Sequence, residues 1–300
     1  MPFFVRYGEP VSTSQDRWAR WVIGCRDDHR GPADPLATFR DGVLARAAIA
    51  EGDTVLDVGT GAGLIAFGAL ERVGPAGRVV FSDISSDLLD ECRRRAQADG
   101  VLDRCHFVEA GADDLRGIAD ASVDVVTTRS VLIYVQRKEA AFAEFARVLR
   151  PGGRLSIFEP INSFAGAAPR FGLFGLDLEP VADLVDRMRA VYTGDAPEHN
   201  PMLNFDERDL LRWLRDAGFT AMAMDYRAEV DIPEPLPTTD WEVLRRSAPN
   251  PLAPTLDEAL AQALTDEERE RFEHHVRAVL AGGAMVRKTL ATVYLRAVRP

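Results

Sequence analysis

Lysine is nearly absent. Of 36 basic residues in a 300-residue chain, only Lys138 and Lys288 are lysine. The skew reads as coding bias, with arginine's bidentate geometry as its only functional rival. Cysteine is scarce too: Cys25, Cys92 and Cys105 are odd in number and lack C-x-x-C spacing. That excludes a zinc or disulfide framework and points to reduced thiols in a reducing compartment. No apolar run reaches the roughly eighteen residues that a membrane span needs. The opening Met1–Pro10 has no basic stretch ahead of an apolar one, so no secretory signal is read there. Positive charge is also in deficit, with 47 acidic against 36 basic residues and a net charge of -11. Such a chain repels phosphate backbones at long range, which argues against a nucleic-acid partner. Cytoplasmic residence without membrane attachment is the expectation.

What is present is ordinary globular composition, 46% hydrophobic and 28% charged, enough to bury a sizeable core. No internal repeat or low-complexity tract appears. The first half alternates β-rich runs with amphipathic stretches, the pattern of a parallel sheet wrapped by helices. Strands are predicted over Thr54–Val58, Arg78–Ser82, Cys105–Glu109, Val123–Thr127 and Arg154–Phe158. Helices are predicted over Gly63–Val73, Ser85–Ala98 and Arg137–Leu149, the last stopped by Pro151-Gly152-Gly153. Residues 13–49 read as two helical pieces broken at Gly31-Pro32. Later helices are predicted over Pro180–Tyr192, Phe205–Ala217 with Asp206 as N-cap, and Thr265–Leu280 with a capped opening. Two closing strands are read over Ala221–Val230 and Lys288–Ala297. Asp124 reads as a surface residue with no chemistry, and His106, His274 and His275 as structural.

The strongest local signal is Val55-Leu56-Asp57-Val58-Gly59-Thr60-Gly61-Ala62-Gly63, a strand that enters glycines and then a helix. Gly59 and Gly61 allow a sharp turn and close approach of a ligand. The helix start offers unpaired N–H groups to a carboxylate or phosphate. The dinucleotide fingerprint G-x-G-x-x-G needs glycine at 64, where Leu64 stands. The pattern is acidic-x-G-x-G-x-G.

With its later stations, this pattern resembles the class I S-adenosylmethionine-dependent methyltransferases, small-molecule branch, over about residues 40–160. The stations are Val79–Asp83, Ala110–Leu115, Ser122–Ser130, and Arg147–Gly153. The resemblance implies an α/β fold: a Rossmann-like, doubly wound, seven-stranded mixed sheet with an antiparallel last strand, plus helical cap insertions. It implies S-adenosylmethionine as cofactor and no metal. Asp57 would organise the methionine amino group, and Gly59 and Gly61 would give backbone contact to the methionine end. Asp83 would hold the ribose, Ile84 would pack on the adenine, and Gly111 and Ala112 would border the adenine edge. Arg129 would offer its backbone. Many relatives carry Asp where Gly111 stands; here Asp113 or a backbone carbonyl takes that place. Plainer readings stand beside these: Asp57 as a cap of its own turn, and Asp83 as a helix N-cap, a task Ser85 or Ser86 can also perform.

Transfer of a methyl from a sulfonium needs alignment and desolvation, and a base only if the acceptor must lose a proton. No dyad stands out. Tyr134, Glu159 and His199 are the candidates for acid–base work, against readings as wall residue, ion-pair partner and exposed loop histidine. Trp18, Trp21, His29, Tyr192 and Asn162 are further candidates for lining the acceptor site. The domain reading is a helical lid over 1–33, a cofactor core over 34–160, a cap insertion over 161–205, a closing helix and strand over 206–232, a second helical cap over 233–285, and the final strand over 286–300. The expected partner is a small-molecule acceptor, methylated on oxygen, nitrogen or carbon and natural-product or quinone-like; a homodimer is left open. No cysteine follows Cys105, which disfavours arsenite as acceptor. The alternative is an enzyme of the same fold that binds S-adenosylmethionine without methylating, of decarboxylase, hydroxylase or cyclase type.

Overall fold

In the computed structural model, the described residues are 18–19, 21–22, 35–167, 172–173, 176–193, 199–235, 240–283 and 285–300. Most of the proposed lid, including His29 and Cys25, lies outside them. The chain divides into two compact units. One comprises His29–Ile161, Phe205–Arg227 and Thr292–Pro300, the other Met1–Asp28, Asn162–Asn204 and Ala228–Ala291.

The first unit is built on strands β1 (Thr54–Val58), β2 (Arg78–Asp83), β3 (Cys105–Glu109), β4 (Val123–Arg129) and β5 (Leu149–Pro160). Two longer strands, β8 (Thr220–Pro235) and β9 (Met285–Val298), complete a seven-stranded sheet of order β3-β2-β1-β4-β5-β9-β8. β1 to β5 pair in parallel, and β9 runs antiparallel to β5 from Arg154↔Val298 to Pro160↔Thr292. The expected seven-stranded mixed sheet with its antiparallel last strand is therefore the observed one. The order reverses between β1 and β4, the place where open α/β sheets bind ligands beyond their carboxyl ends.

Helices α1 (Pro35–Ala47), α2 (Leu64–Arg72), α3 (Ser86–Ala98) and α4 (Lys138–Val148) belong to this unit. α3 and α4 each bury one stripe at helical spacing, whereas α2 is buried continuously from Ile65 to Leu70. On α3 the stripe is Leu88, Leu89, Cys92 and Ala96. Ser85 caps α3 by accepting from the Leu88 N–H at 3.3 Å. On α4 the stripe is Lys138, Ala141, Phe142, Phe145 and Val148, so a lysine occupies an apolar position. Phe81 stands at the centre of the core, 5.2 Å from the Phe67 ring and 5.0 Å from that of Phe107.

Four local readings need correction. α4 ends at Val148, before Pro151, because the residue ahead of a proline is pushed out of the helical region. β5 already starts at Leu149, and Pro151–Gly153 fall at a register shift inside it. Asp124 is buried, not superficial: it accepts from the Thr54 N–H at 2.8 Å and pairs with Arg150, tying β1 to β4. β8 runs past Val230 through Pro233 to Pro235, which an edge strand tolerates because its outer N–H groups need no partner.

The second unit carries the two-stranded antiparallel pair β6 (Gly172–Leu173) and β7 (Leu176–Asp177), then α5 (Ala182–Thr193), α7 (Trp241–Arg245), α8 (Leu256–Ala263) and α9 (Asp266–Ala281). Its core includes Leu184, Val185, Met188, Trp241, Leu260 and Phe272. Thr255 with Glu258 and Thr265 with Glu268 form reciprocal capping boxes. The remaining helix, α6 (Glu207–Asp216), lies in the first unit, where Asp206 caps it with Asp209 answering. Among the described residues, no helix is long and apolar enough to cross a membrane.

Candidate active site

The carboxyl ends of β1, β2 and β4 gather the residues that the sequence singles out. Asp57 is 1% exposed. Its Oδ2 accepts from the Thr60 hydroxyl and its Oδ1 from that of Thr127, both at 2.8 Å. The Ala66 backbone N–H in the first turn of α2 also serves it. Burial pushes the carboxyl up to about 6, against these donors and with help from the nearby charge of Asp83.

After Asp57 the chain turns through Gly59, Gly61 and Gly63, with φ of 64°, 55° and 80°. At Gly59 a side chain has no room: a Cβ there would lie 2.2 Å from Cγ2 of Val131. Asp83 ends β2 and bonds back into this turn, accepting from the Gly61 N–H at 2.8 Å and from the Ser85 N–H at 3.0 Å. Since Ser85 caps α3, Asp83 does not act as that helix's N-cap. Thr60 donates its N–H to the Ser82 carbonyl at 2.9 Å, which sews the turn to β2.

Ile84 follows Asp83 and is 56% exposed, a large apolar side chain open to solvent at the mouth of the turn. Across from it, a Cβ at Gly111 would lie 3.8 Å from Cγ2 of Ile84 and 3.2 Å from Oδ1 of Asp113. Ala112 is buried beside them. Asp113 is held by Arg137, whose Nε donates to Oδ2 at 3.0 Å. A ring could therefore rest on Ile84 with the Gly111–Asp113 backbone at its edge. A cradle of glycines, an acidic strand end and an apolar platform fits S-adenosylmethionine.

Arg129 closes β4, and its guanidinium lies 5.7 Å from the Phe39 ring centroid. Ser130 then takes a left-handed φ of 55° and donates its N–H to the Phe158 carbonyl at 2.9 Å. Of the three acid–base candidates, Glu159 and Tyr134 belong to the first unit. Glu159 is 0% exposed. Its oxygens accept from the N–H groups of Val131, Leu132 and Ile133, at 2.8, 2.9 and 3.4 Å, just ahead of Tyr134. Burial pushes this carboxyl up to about 7, opposed by those N–H groups and by the Lys138 charge. Lys138 is itself lowered to about 8 by burial, and its ammonium donates to the Val135 carbonyl at 2.9 Å. His199 is exposed and belongs to the other unit, as do Trp18, Trp21 and Tyr192. Among the described residues, no group of three or more His, Cys, Asp or Glu could hold a metal ion.

Sequence reasoning missed Thr60 and Thr127 as the donors to Asp57, Val131 as the filler beside Gly59, and Lys138. Only Lys138 carried a readable signal, its position on the apolar stripe of α4.

Residues 55–153 match the methyltransferase-domain family. Over 116 residues the chain is 35% identical to a ubiquinone/menaquinone biosynthesis C-methyltransferase of Francisella tularensis subsp. novicida, covering 39% of this chain and 46% of that protein. An arsenite methyltransferase of Halobacterium salinarum is 34% identical over 140 residues, covering 44% of this chain and 35% of the other. The chain thus spans less than half the length of the curated relatives it matches. Among solved structures, a geranyl diphosphate C-methyltransferase of Streptomyces coelicolor, in complex with Mg2+, geranyl diphosphate and S-adenosyl-L-homocysteine, shares the fold with a TM-score of 0.51. Its sequence identity is 16%, covering 99% of this chain and 90% of that one. The matched stretch holds the glycine turn and the ends of β1, β2 and β4, so residues 55–153 are similar to a methyltransferase domain within a fold that solved methyltransferases share.

Proposed function

We propose that the protein transfers the methyl group of S-adenosylmethionine to an oxygen, nitrogen or carbon of a medium-sized small molecule, natural-product or quinone-like. One observation carries the reading: Asp57, the glycine turn, Asp83, Ile84 and Gly111 converge at the carboxyl ends of β1, β2 and β3. When bound, the cofactor supplies a methyl on a positively charged sulfur.

Asp83 would hold the ribose hydroxyls, and Ile84 with Gly111, Ala112 and Asp113 would hold the adenine. Asp57 would fix the turn whose N–H groups, with the Arg129 backbone, receive the methionine end. Two carboxylates so close to the turn also give a negative field that suits a sulfonium and an ammonium.

The acceptor would approach beyond the strand ends, where exclusion of water favours transfer of the methyl. A quinone-like acceptor draws support from the similarity to a ubiquinone/menaquinone biosynthesis C-methyltransferase. The net charge of -11 speaks for a small molecule over a nucleic acid.

The test is product analysis. The purified protein is incubated with S-adenosylmethionine and a panel of quinols, phenols and amines. S-adenosylhomocysteine formed one-for-one with methylated acceptor supports transfer. Acceptor turnover without S-adenosylhomocysteine replaces this reading with the non-methylating one.

A further inference from the structure

Glu159 stands out among the buried ionisable groups because its hydrogen bonds come from one unbroken run of backbone. Three successive N–H groups, from Val131, Leu132 and Ile133, converge on one carboxylate. Such a run of N–H groups is a nest that favours an anion. Here the protein fills it with its own side chain.

The segment held in this way starts at Ser130, whose N–H bonds the Phe158 carbonyl, and runs into the buried Leu132 and Ile133. Ser130 sits at a φ of 55°, a conformation that costs a non-glycine residue free energy and persists only where its surroundings enforce it. Beyond it, the Tyr134 N–H closes a single turn on the Val131 carbonyl at 2.9 Å. The Val131 side chain then occupies the space beside Gly59, where a Cβ would meet Cγ2 at 2.2 Å and Cγ1 at 3.2 Å. The path of contact runs from the Glu159 carboxylate to the Val131 backbone, through the Val131 side chain, to the first glycine of the turn.

We propose that Glu159 is a positioning residue for methyl transfer: by holding the Val131 backbone it presses the Val131 side chain against Gly59 and sets the glycine turn that receives the methionine end of the cofactor. The proposal rests on the methyltransferase reading. It gives Glu159 no contact with acceptor or methyl.

Glu159→Gln keeps the size of the side chain but aims an NH2 group at backbone donors. Three measurements on the full chain test it: hydrogen exchange at residues 131–133 without ligand, S-adenosylhomocysteine affinity by calorimetry, and the same affinity in the Val131→Ala background. Glu159→Gln should speed exchange at those amides and weaken affinity roughly tenfold, equivalent to one lost hydrogen bond to a charged group. In the Val131→Ala background, where the contact with Gly59 is already gone, the same change should cost less than about threefold.

A folded Glu159→Gln variant with unchanged affinity overturns the proposal, and so does an equal loss in both backgrounds. If Glu159→Gln does not fold, Val131→Ala alone decides, since unaltered affinity there breaks the path. Wild-type protein that binds no S-adenosylhomocysteine overturns the methyltransferase reading and this proposal with it. Wild-type binding with an unaffected variant sinks this proposal alone.

Discussion

The backbone N–H of Gly61 donates to Oδ2 of Asp83 at 2.8 Å, across 22 positions of sequence. The residue assigned to the ribose is therefore also a strut of the turn assigned to the methionine end, so the two halves of the cofactor site are mechanically joined.

Asp83→Ala removes both functions. It leaves the Gly61 and Ser85 N–H groups without their acceptor and withdraws the charge-assisted bonds proposed to the ribose. S-adenosylmethionine affinity measured by calorimetry should fall roughly tenfold to a hundredfold. An unchanged dissociation constant in a folded variant would end the ribose assignment.

Gly59→Ala asks a side chain to share space with Val131 at a φ of 64°. Left-handed strain and overpacking together should lower stability by about 2–4 kcal/mol, read from urea unfolding, and cofactor affinity should drop with it. A variant as stable as wild type would show that the turn can open without cost.

Asp57 makes the pH dependence predictable. Its carboxyl is raised to about 6 in the fold from an ordinary 3.8, so between those values the folded state binds more protons than the unfolded one. Stability from this group is fully present below about pH 4 and is lost as pH rises through 6. Asp57→Asn stays uncharged. Without ligand its melting temperature relative to wild type should therefore improve from pH 4 to pH 7, by the equivalent of up to about 3 kcal/mol. Parallel melting curves for the two proteins across that range would refute the shift.

Deleting residues 1–33 tests the lid. Turnover should fall far more than S-adenosylmethionine affinity, because Asp57, Gly59, Gly61 and Asp83 all lie in the retained part. A truncated chain with full turnover would leave the acceptor site to be built from other segments.

The elements that position the cofactor were legible because their signals are local. Thr54–Val58 and Cys105–Glu109 are bounded by turn residues, and Asp206, Thr265 and Ser85 cap the helices they precede. What stayed hidden crosses the sheet. Thr127 meets Asp57 across 70 positions, and no periodicity records that two neighbouring strands place a hydroxyl beside a carboxylate. Glu159 looked like a base or an ion-pair partner because a carboxylate in sequence does not announce that its donors are backbone N–H groups. Asp124 read as superficial for the same reason, its Thr54 partner lying on another strand.

The place of β9 bears on how the molecule can be made. It lies between β5 and β8, yet its residues are translated after those of both. A nascent chain can pair β3-β2-β1-β4-β5 early. β8 then waits, without its one sheet neighbour, through the synthesis of some fifty residues that separate it from β9. Its outward side chains include Met222, Tyr226, Val230 and Ile232, which remain substantially exposed even in the finished fold. That interval before β9 arrives is when an unpaired apolar strand can bind the wrong chain. Ribosome stalling or carboxyl-terminal truncation ahead of Met285 should therefore be the most aggregation-prone point in the life of this protein.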